Sequence, residues 1–159
     1  MYYIRHPPLR KRLVQVTSRG TDRSASVSSS ALARRPLVLV IDDERSVRMA
    51  LTRYFERGGW EVRQAEDGSE ALELLADPAA SAYQLVITDL RMPGRTGIEV
   101  HDWLAEHRPE LFERLIVATG DVASPSIREF IGRTTRPVLE KPFELRALAA
   151  LVQRVTAER

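Results

Sequence analysis

The sequence predicts an α/β domain in which helices cover both faces of a five-stranded parallel sheet, a doubly wound, three-layer architecture. Two observations carry that prediction. Short β-branched or apolar runs alternate five times with segments whose apolar residues recur at helical spacing. The first run, Leu37-Val38-Leu39-Val40-Ile41, is apolar without a break, as a strand buried on both faces requires.

Each element follows from local pattern. After the Leu37–Ile41 strand, Val47, Leu51, Tyr54 and Phe55 fall on one face of a helix that Gly58-Gly59 stops near Arg57. Trp60 to Ala65 alternates only in part, which suits a strand at a sheet edge. Ala71, Leu72, Leu74 and Leu75 mark a short helix over 69–76, closed by Pro78. Leu85-Val86-Ile87 predicts a third strand ending at Asp89. The alternation then repeats with a helix over 97–107, a strand over 115–118, a helix over 125–132, a strand at 138–139 and a helix over 144–155. Helical crossovers between strands imply right-handed parallel connections. No residues remain for a second domain, so one core of about 120 residues is expected.

Composition narrows the function classes. The 159 residues are 43% hydrophobic and 29% charged, and no apolar run approaches the length of a membrane span. The absence of Cys excludes disulfides, zinc–thiolate sites and cysteine nucleophiles, and the start of the chain has no secretory apolar stretch; a cytoplasmic protein is expected. The net charge of +2 conceals a division. Residues 1–36 carry eight cations against Asp22 alone, a net +7, whereas 37–159 carries 16 cations and 21 acids, a net −5. Five of the seven residues from Ser24 to Ser30 are Ser. Residues 1–36 are therefore expected to be a disordered, basic, Ser-rich tail, and the domain proper to run over 37–159. A solvated tail without a role, an Arg-rich contact to phosphate, acidic protein or anionic lipid, and a start codon placed too far upstream or a transit peptide all remain open for it. Nucleic-acid binding through the acidic fold itself is not expected.

Polar residues gather where the strands end. In open α/β sheets that edge is where ligands bind. Strand one ends in Asp42-Asp43, strand three in Asp89, strand four in Thr119 and strand five in Glu140-Lys141-Pro142. Each has a bland reading taken singly: Asp42 or Asp43 as a helix cap, Asp89 and Thr119 as turn residues, Lys141 as a surface cation. Lys141 is nevertheless one of only 2 Lys beside 22 Arg. Together the segments Val40-Ile41-Asp42-Asp43-Glu44, Thr88-Asp89-Leu90-Arg91-Met92-Pro93-Gly94, Val117-Ala118-Thr119-Gly120 and Leu139-Glu140-Lys141-Pro142-Phe143 resemble the receiver domain of two-component response regulators. The stretches after Thr119 and before Phe143 look most like receivers fused to hybrid sensor histidine kinases. The resemblance implies the flavodoxin-like strand order 2-1-3-4-5.

With that order, strands about 4.8 Å apart bring Asp43 and Asp89 near one hard cation, and Lys141 lies two strands, roughly 10 Å, from Asp89. Carboxylates about 4 Å apart repel by about 4 kcal/mol at an effective dielectric of 20, a penalty that a divalent cation removes. Oxygen-only donors favour Mg²⁺, with Mn²⁺ as a substitute. The resemblance implies that Asp43, Asp89 and the Arg91 backbone carbonyl hold the metal, with Asp42 acting through bound water. It implies Asp89 as phosphoacceptor, Lys141 and Thr119 as the groups that bind the phosphoryl oxygens and switch, and Lys141-Pro142 as a peptide bond that is often cis.

One position departs from the pattern. Many receivers carry an aromatic residue three positions before the Lys; here it is Val138. The three histidines, His6, His101 and His107, show no metal spacing and are expected at the surface, and Trp103 is expected in packing. The expected function is that of a freestanding receiver without an output domain, phosphorylated on Asp89 by a sensor histidine kinase or phosphotransfer protein and acting through a downstream protein partner. Such a chain is not an enzyme beyond its own phosphorylation and dephosphorylation, and a monomer or weak dimer is expected. Two alternatives stay open. One is a Mg²⁺-dependent phosphohydrolase of haloacid-dehalogenase type, although its two acids lie two apart on one strand, whereas Asp89 falls 46 residues beyond Asp43. The other is a binding module acting through the basic tail.

Overall fold

A computed structural model describes residues 34–157. The expectation of a disordered tail falls mostly on residues 1–33, outside the described residues. The element order is β1 (Leu37–Ile41), α1 (Arg45–Arg57), β2 (Glu61–Ala65), α2 (Gly68–Ala76), a 3-10 turn (Pro78–Ala82), β3 (Tyr83–Asp89), α3 (Gly97–His107), α4 (Pro109–Phe112), β4 (Leu115–Thr119), α5 (Pro125–Arg133), β5 (Val138–Glu140) and α6 (Leu145–Ala157). All five strands are parallel, as the alternation predicts, in the order β2-β1-β3-β4-β5 that the resemblance implies. The 3-10 turn and the one-turn α4 carry too few residues to show a periodicity, and neither is legible in the sequence.

Period-two alternation in β1 sends its residues into two cores. Val38 and Val40 pack with Leu51 and Phe55 of α1 and Leu148 and Val155 of α6. Leu39 and Ile41 pack with Leu75 of α2, Val100 and Leu104 of α3 and Phe130 of α5. A strand with helices on both sides has no polar face, which explains the unbroken apolar run. At the edge, β2 leaves Glu61, Arg63 and Gln64 exposed and buries Ala65, matching its partial alternation.

His101 corrects the expectation of surface histidines. It is buried, because Gly97, Val100, His101 and Leu104 form the inward face of α3. Its Nδ1 lies 2.7 Å from Asp102 Oδ1 and its Nε2 2.9 Å from Thr134 Oγ1. The rings of Phe112 and Phe130 meet it edge-on, with centroids at 4.9 and 4.7 Å. Arg133, paired with Asp102 through both terminal nitrogens, and Arg136 cover those two rings. The geometry suits a neutral ring that donates from Nδ1 and accepts at Nε2. His107 is exposed and stacks on Trp103, which packs partly buried against the core; His6 lies outside the described residues.

Burial pushes the His101 pKa below its ordinary 6.5, opposed by Asp102 and reinforced by Arg133 and Arg136. Below pH 6.5 the unfolded chain then binds a proton that the folded chain refuses, so stability falls as the pH drops through that value. In urea denaturation, the stability lost between neutral and mildly acidic pH is expected to be larger for the native chain than for His101→Gln, which cannot titrate. Equal losses would show that His101 does not govern the slope.

Candidate functional site

The carboxyl ends of the strands are aligned by register. Ile41 pairs with Thr88, so Asp42 stands level with Asp89; Asp89 pairs with Ala118, so Thr119 lies one residue beyond; and Thr119 pairs with Glu140, next to Lys141. Lys141 Nζ donates to Asp42 Oδ2 at 2.6 Å and reaches Asp89 Oδ1 at 2.8 Å. Asp42 and Asp89 are only 2% and 5% exposed, so this ammonium holds together two buried carboxylates from different strands.

The remaining expected residues surround that bridge. Arg91 N–H donates to Asp89 Oδ2 at 2.9 Å, while its guanidinium pairs with Asp121 across the mouth of the site. Thr119 is buried; its hydroxyl oxygen accepts from Asp121 N at 3.2 Å and its carbonyl from Lys141 N at 2.8 Å. The Lys141–Pro142 peptide bond is cis. Val138 begins β5 opposite Val117 and packs, partly buried, against the core under α5. Asp43, by contrast, is exposed, and among the described residues no three His, Asp or Glu side chains form a ready-made metal-ligating group. Successive residues leaving a strand point to opposite sides, and here Asp42 takes the inward direction.

Two residues escaped the sequence reading. Arg48 of α1 is buried, and its guanidinium donates to the carbonyls of Asp42, at 2.6 Å, and Asp43, at 3.2 Å, fixing the loop that presents both acids. Its position with Leu51 and Phe55 on the inward face of α1 was the available signal: a cation there must have polar partners. Gly97, at the start of α3, sits against the Asp89 backbone. A Cβ there would overlap the Asp89 carbonyl oxygen and lie 2.7 Å from its carbonyl carbon, and Gly97 N–H donates to Leu90 O at 3.1 Å.

The electrostatics are unusual for a carboxylate. Burial raises the Asp89 pKa above its ordinary 3.8, with Asp42 acting the same way and Lys141 and the Arg91 N–H only partly offsetting it. Burial works against the Lys141 charge, yet its hydrogen bonds to Asp42 and Asp89 prevail and its pKa is raised. The donors fit a hard cation: Asp42, Asp43, Asp89 and the Arg91 carbonyl offer only oxygen, and a cation would offset the burial that makes Asp89 resist ionisation. Beside Lys141 opens a cleft of about 500 Å³, lined by Val47, Ala50, Gly120, Pro142 and Phe143 among others.

A family model described as the response regulator receiver domain matches residues 38–153. The chain belongs to that family. Among its relatives, the transcriptional regulatory protein ResD of Bacillus subtilis (strain 168) is 33% identical over 116 residues, which make up 73% of this chain and 46% of that protein. The DNA-binding transcriptional regulator NtrC of Azospirillum brasilense is 32% identical over 117 residues, 74% of this chain and 23% of that protein. The chain thus spans about half or less of the relatives it matches. Among solved structures, a response regulator receiver protein from Pseudomonas putida aligns with TM-score 0.64 and 31% identity, covering 77% of this chain and 99% of that one. The response regulator TrrA from Thermotoga maritima, solved in complex with Mg²⁺ and BeF, aligns with TM-score 0.63 and 28% identity, covering 76% of this chain and 98% of that one. Among the described residues of this receiver domain, no helix is long and apolar enough to cross a membrane.

Two predictions follow from the receiver's geometry. Because the folded Asp89 pKa is raised, ionised Asp89 lowers stability once the pH exceeds that pKa, and the effect vanishes below 3.8, where both folded and unfolded chains are protonated. Asp89→Asn is therefore expected to melt above the native chain at neutral pH, by a margin that shrinks on acidification; thermal denaturation at several pH values decides it. Gly97→Ala forces a methyl into backbone and is expected to cost about 1–3 kcal/mol in urea unfolding. No loss would show that α3 can step away from Asp89 freely.

Proposed function

We propose that this domain accepts a phosphoryl group on Asp89 from the phosphohistidine of a sensor histidine kinase or phosphotransfer protein, and so changes its binding of a downstream protein partner in the cytoplasm. The bridge from Lys141 to Asp42 and Asp89 carries the reading. A buried cation shared by two strand-end carboxylates is poorly explained by stability alone, since burying charge is expensive, but it is well suited to receiving a dianion.

In the transfer, an Asp89 carboxylate oxygen attacks phosphorus; a P–O bond forms, the P–N bond breaks, and the imidazole leaves and takes a proton from solvent. Asp43, Asp89 and the Arg91 carbonyl would hold a Mg²⁺, with Asp42 acting through water. Bound there, the cation supplies positive charge to the phosphoryl oxygens and favours ionised Asp89. Asp89 Oδ1, now on Lys141, and Oδ2, on Arg91 N–H, are the candidate nucleophiles. Lys141 stays an ammonium, ready to move from carboxylate to phosphoryl oxygen. The Thr119 hydroxyl, which accepts from Asp121 N–H, keeps its own proton to donate to the incoming group. Drawing Thr119 inward would pull on the loop leading into α5, while Val138 supplies no aromatic ring to follow it.

Intact mass spectrometry after incubation with acetyl phosphate and Mg²⁺ tests this. A gain of about 80 Da, absent from Asp89→Asn and from a sample with excess EDTA, is expected. An unmodified native chain, or an adduct that persists in Asp89→Asn, would sink the proposal.

A further inference from the structure

At the opposite edge of the sheet lies a second polar cavity, which the phosphoacceptor chemistry does not use. Leu37 pairs with Glu61 and with Tyr83, so the amino ends of β1, β2 and β3 meet there. Arg114 leads into β4 beside them. The cavity measures about 480 Å³, and its walls include Arg34, Arg35, Arg114, Glu61, Ser81 and Gln84. Tyr83 and Asp89 are the two ends of β3, six steps of about 3.3 Å apart, so roughly 20 Å separates this cavity from the carboxylate site.

Its lining carries three arginines against one acid, Glu61. Two of them are held in place by neutral groups: Arg35 donates from Nε to Gly59 O at 3.0 Å and from Nη2 to Trp60 O at 2.7 Å, and Arg114 donates from Nη1 to Tyr83 O at 2.7 Å. Carbonyls orient a guanidinium without neutralising it, and each of these has N–H groups to spare. Among the described residues, none of the three forms an ion pair. Two pre-oriented guanidiniums outside any ion pair, with a third arginine on the same cavity wall, suit the planar, two-pronged recognition of phosphate oxygens. Gln84 adds a neutral amide on the same wall, while the Ser81 hydroxyl is committed to Pro78 O at 3.1 Å.

We propose that this cavity binds the phosphates of a pyrophosphate-bearing ligand of nucleotide size, at a site independent of Asp89. The size argues for more than a single phosphate, since the volume lies in the range of about 300–1,000 Å³ typical of small-molecule pockets. The charge argues likewise, because three guanidiniums suit several anionic oxygens.

The test is a titration of the full-length chain with inorganic pyrophosphate, ADP, adenosine and a single-stranded oligonucleotide, in excess EDTA so that no metal occupies the carboxylate site, followed through backbone amide NMR shifts. Saturable shifts at Leu37, Gln84 and Leu115 with pyrophosphate or ADP are expected, and none with adenosine. Tighter binding of ADP than of pyrophosphate would assign the ligand to nucleotides, and equal binding to the pyrophosphate group alone. Losing one charge-assisted contact of about 1.5–3 kcal/mol corresponds to tenfold or more, so Arg114→Gln is expected to weaken binding at least about tenfold. Arg34→Gln, whose side chain is exposed, provides a second loss-of-charge variant that leaves the fold's hydrogen bonds intact. Glu61→Gln removes the opposing charge and is expected to tighten binding, which a merely structural role for these residues would not produce. No shifts at these amides, shifts unchanged in both Arg variants, or binding of a single-stranded oligonucleotide alone would overturn the proposal.

Discussion

The ammonium of Lys141 is the interaction on which the working edge of this receiver depends. It joins the end of β5 to the ends of β1 and β3 through two carboxylates that are almost wholly buried. Removing the cation from such a buried group typically costs about 3–5 kcal/mol, because the carboxylates are left uncompensated. Two anions and one cation leave the group one positive charge short. Burial, reinforced by Asp42, raises the pKa of Asp89, and the hydrogen bonds to both carboxylates hold the charge on Lys141. A site short of positive charge is predisposed to take a cation, and one whose cation is shared is predisposed to release it to a better anion.

The rest of the fold keeps that imbalance from relaxing. Parallel pairing sets Asp42 level with Asp89, and the double core under β1 prevents the strand from sliding, since a one-residue slip would exchange its two apolar faces. Arg48 fastens the carbonyls of Asp42 and Asp43 from beneath, and Gly97 lets α3 close on the backbone of Asp89. Neither residue touches the proposed phosphoryl position. Both restrict where the acids can move, which is what a preorganised site requires.

Most of the fold was legible because its signals are collective. The Leu37–Ile41 run matches β1 to the residue, and the partial alternation from Trp60 to Ala65 placed β2, Glu61–Ala65, at the edge where it lies. The site was legible as a constellation, with Lys141 conspicuous among arginines and Asp89 closing a buried strand. What stayed hidden depends on packing between elements. Helical spacing put His101 and Arg48 on inward faces, but polar residues there are readable only once their partners, Thr134 and the Asp42 carbonyl, are known. The same holds for Gly97, whose need for a bare Cα arises from a contact with another element. Which of Asp42 and Asp43 turns inward depends on the exit angle of the chain, and neither composition nor spacing encodes it.

The substitution at the start of β5 constrains how any signal could leave the site. Val138 packs against the core under α5, while Thr119, one strand over, is joined to Asp121 N–H and to Lys141 N–H. On the function proposed above, movement of Thr119 would therefore act along the backbone of the β4–α5 loop and not through an aromatic ring in β5. The Arg91–Asp121 pair spans that same loop and the one after Asp89, so the two segments that flank Asp89 are already linked at their tips. At the far end of α5, Asp102 holds Arg133, and Thr134, the next residue, holds His101. With its carboxyl end tied to α3, α5 can respond to its loop by pivoting about that end more readily than by translating as a body.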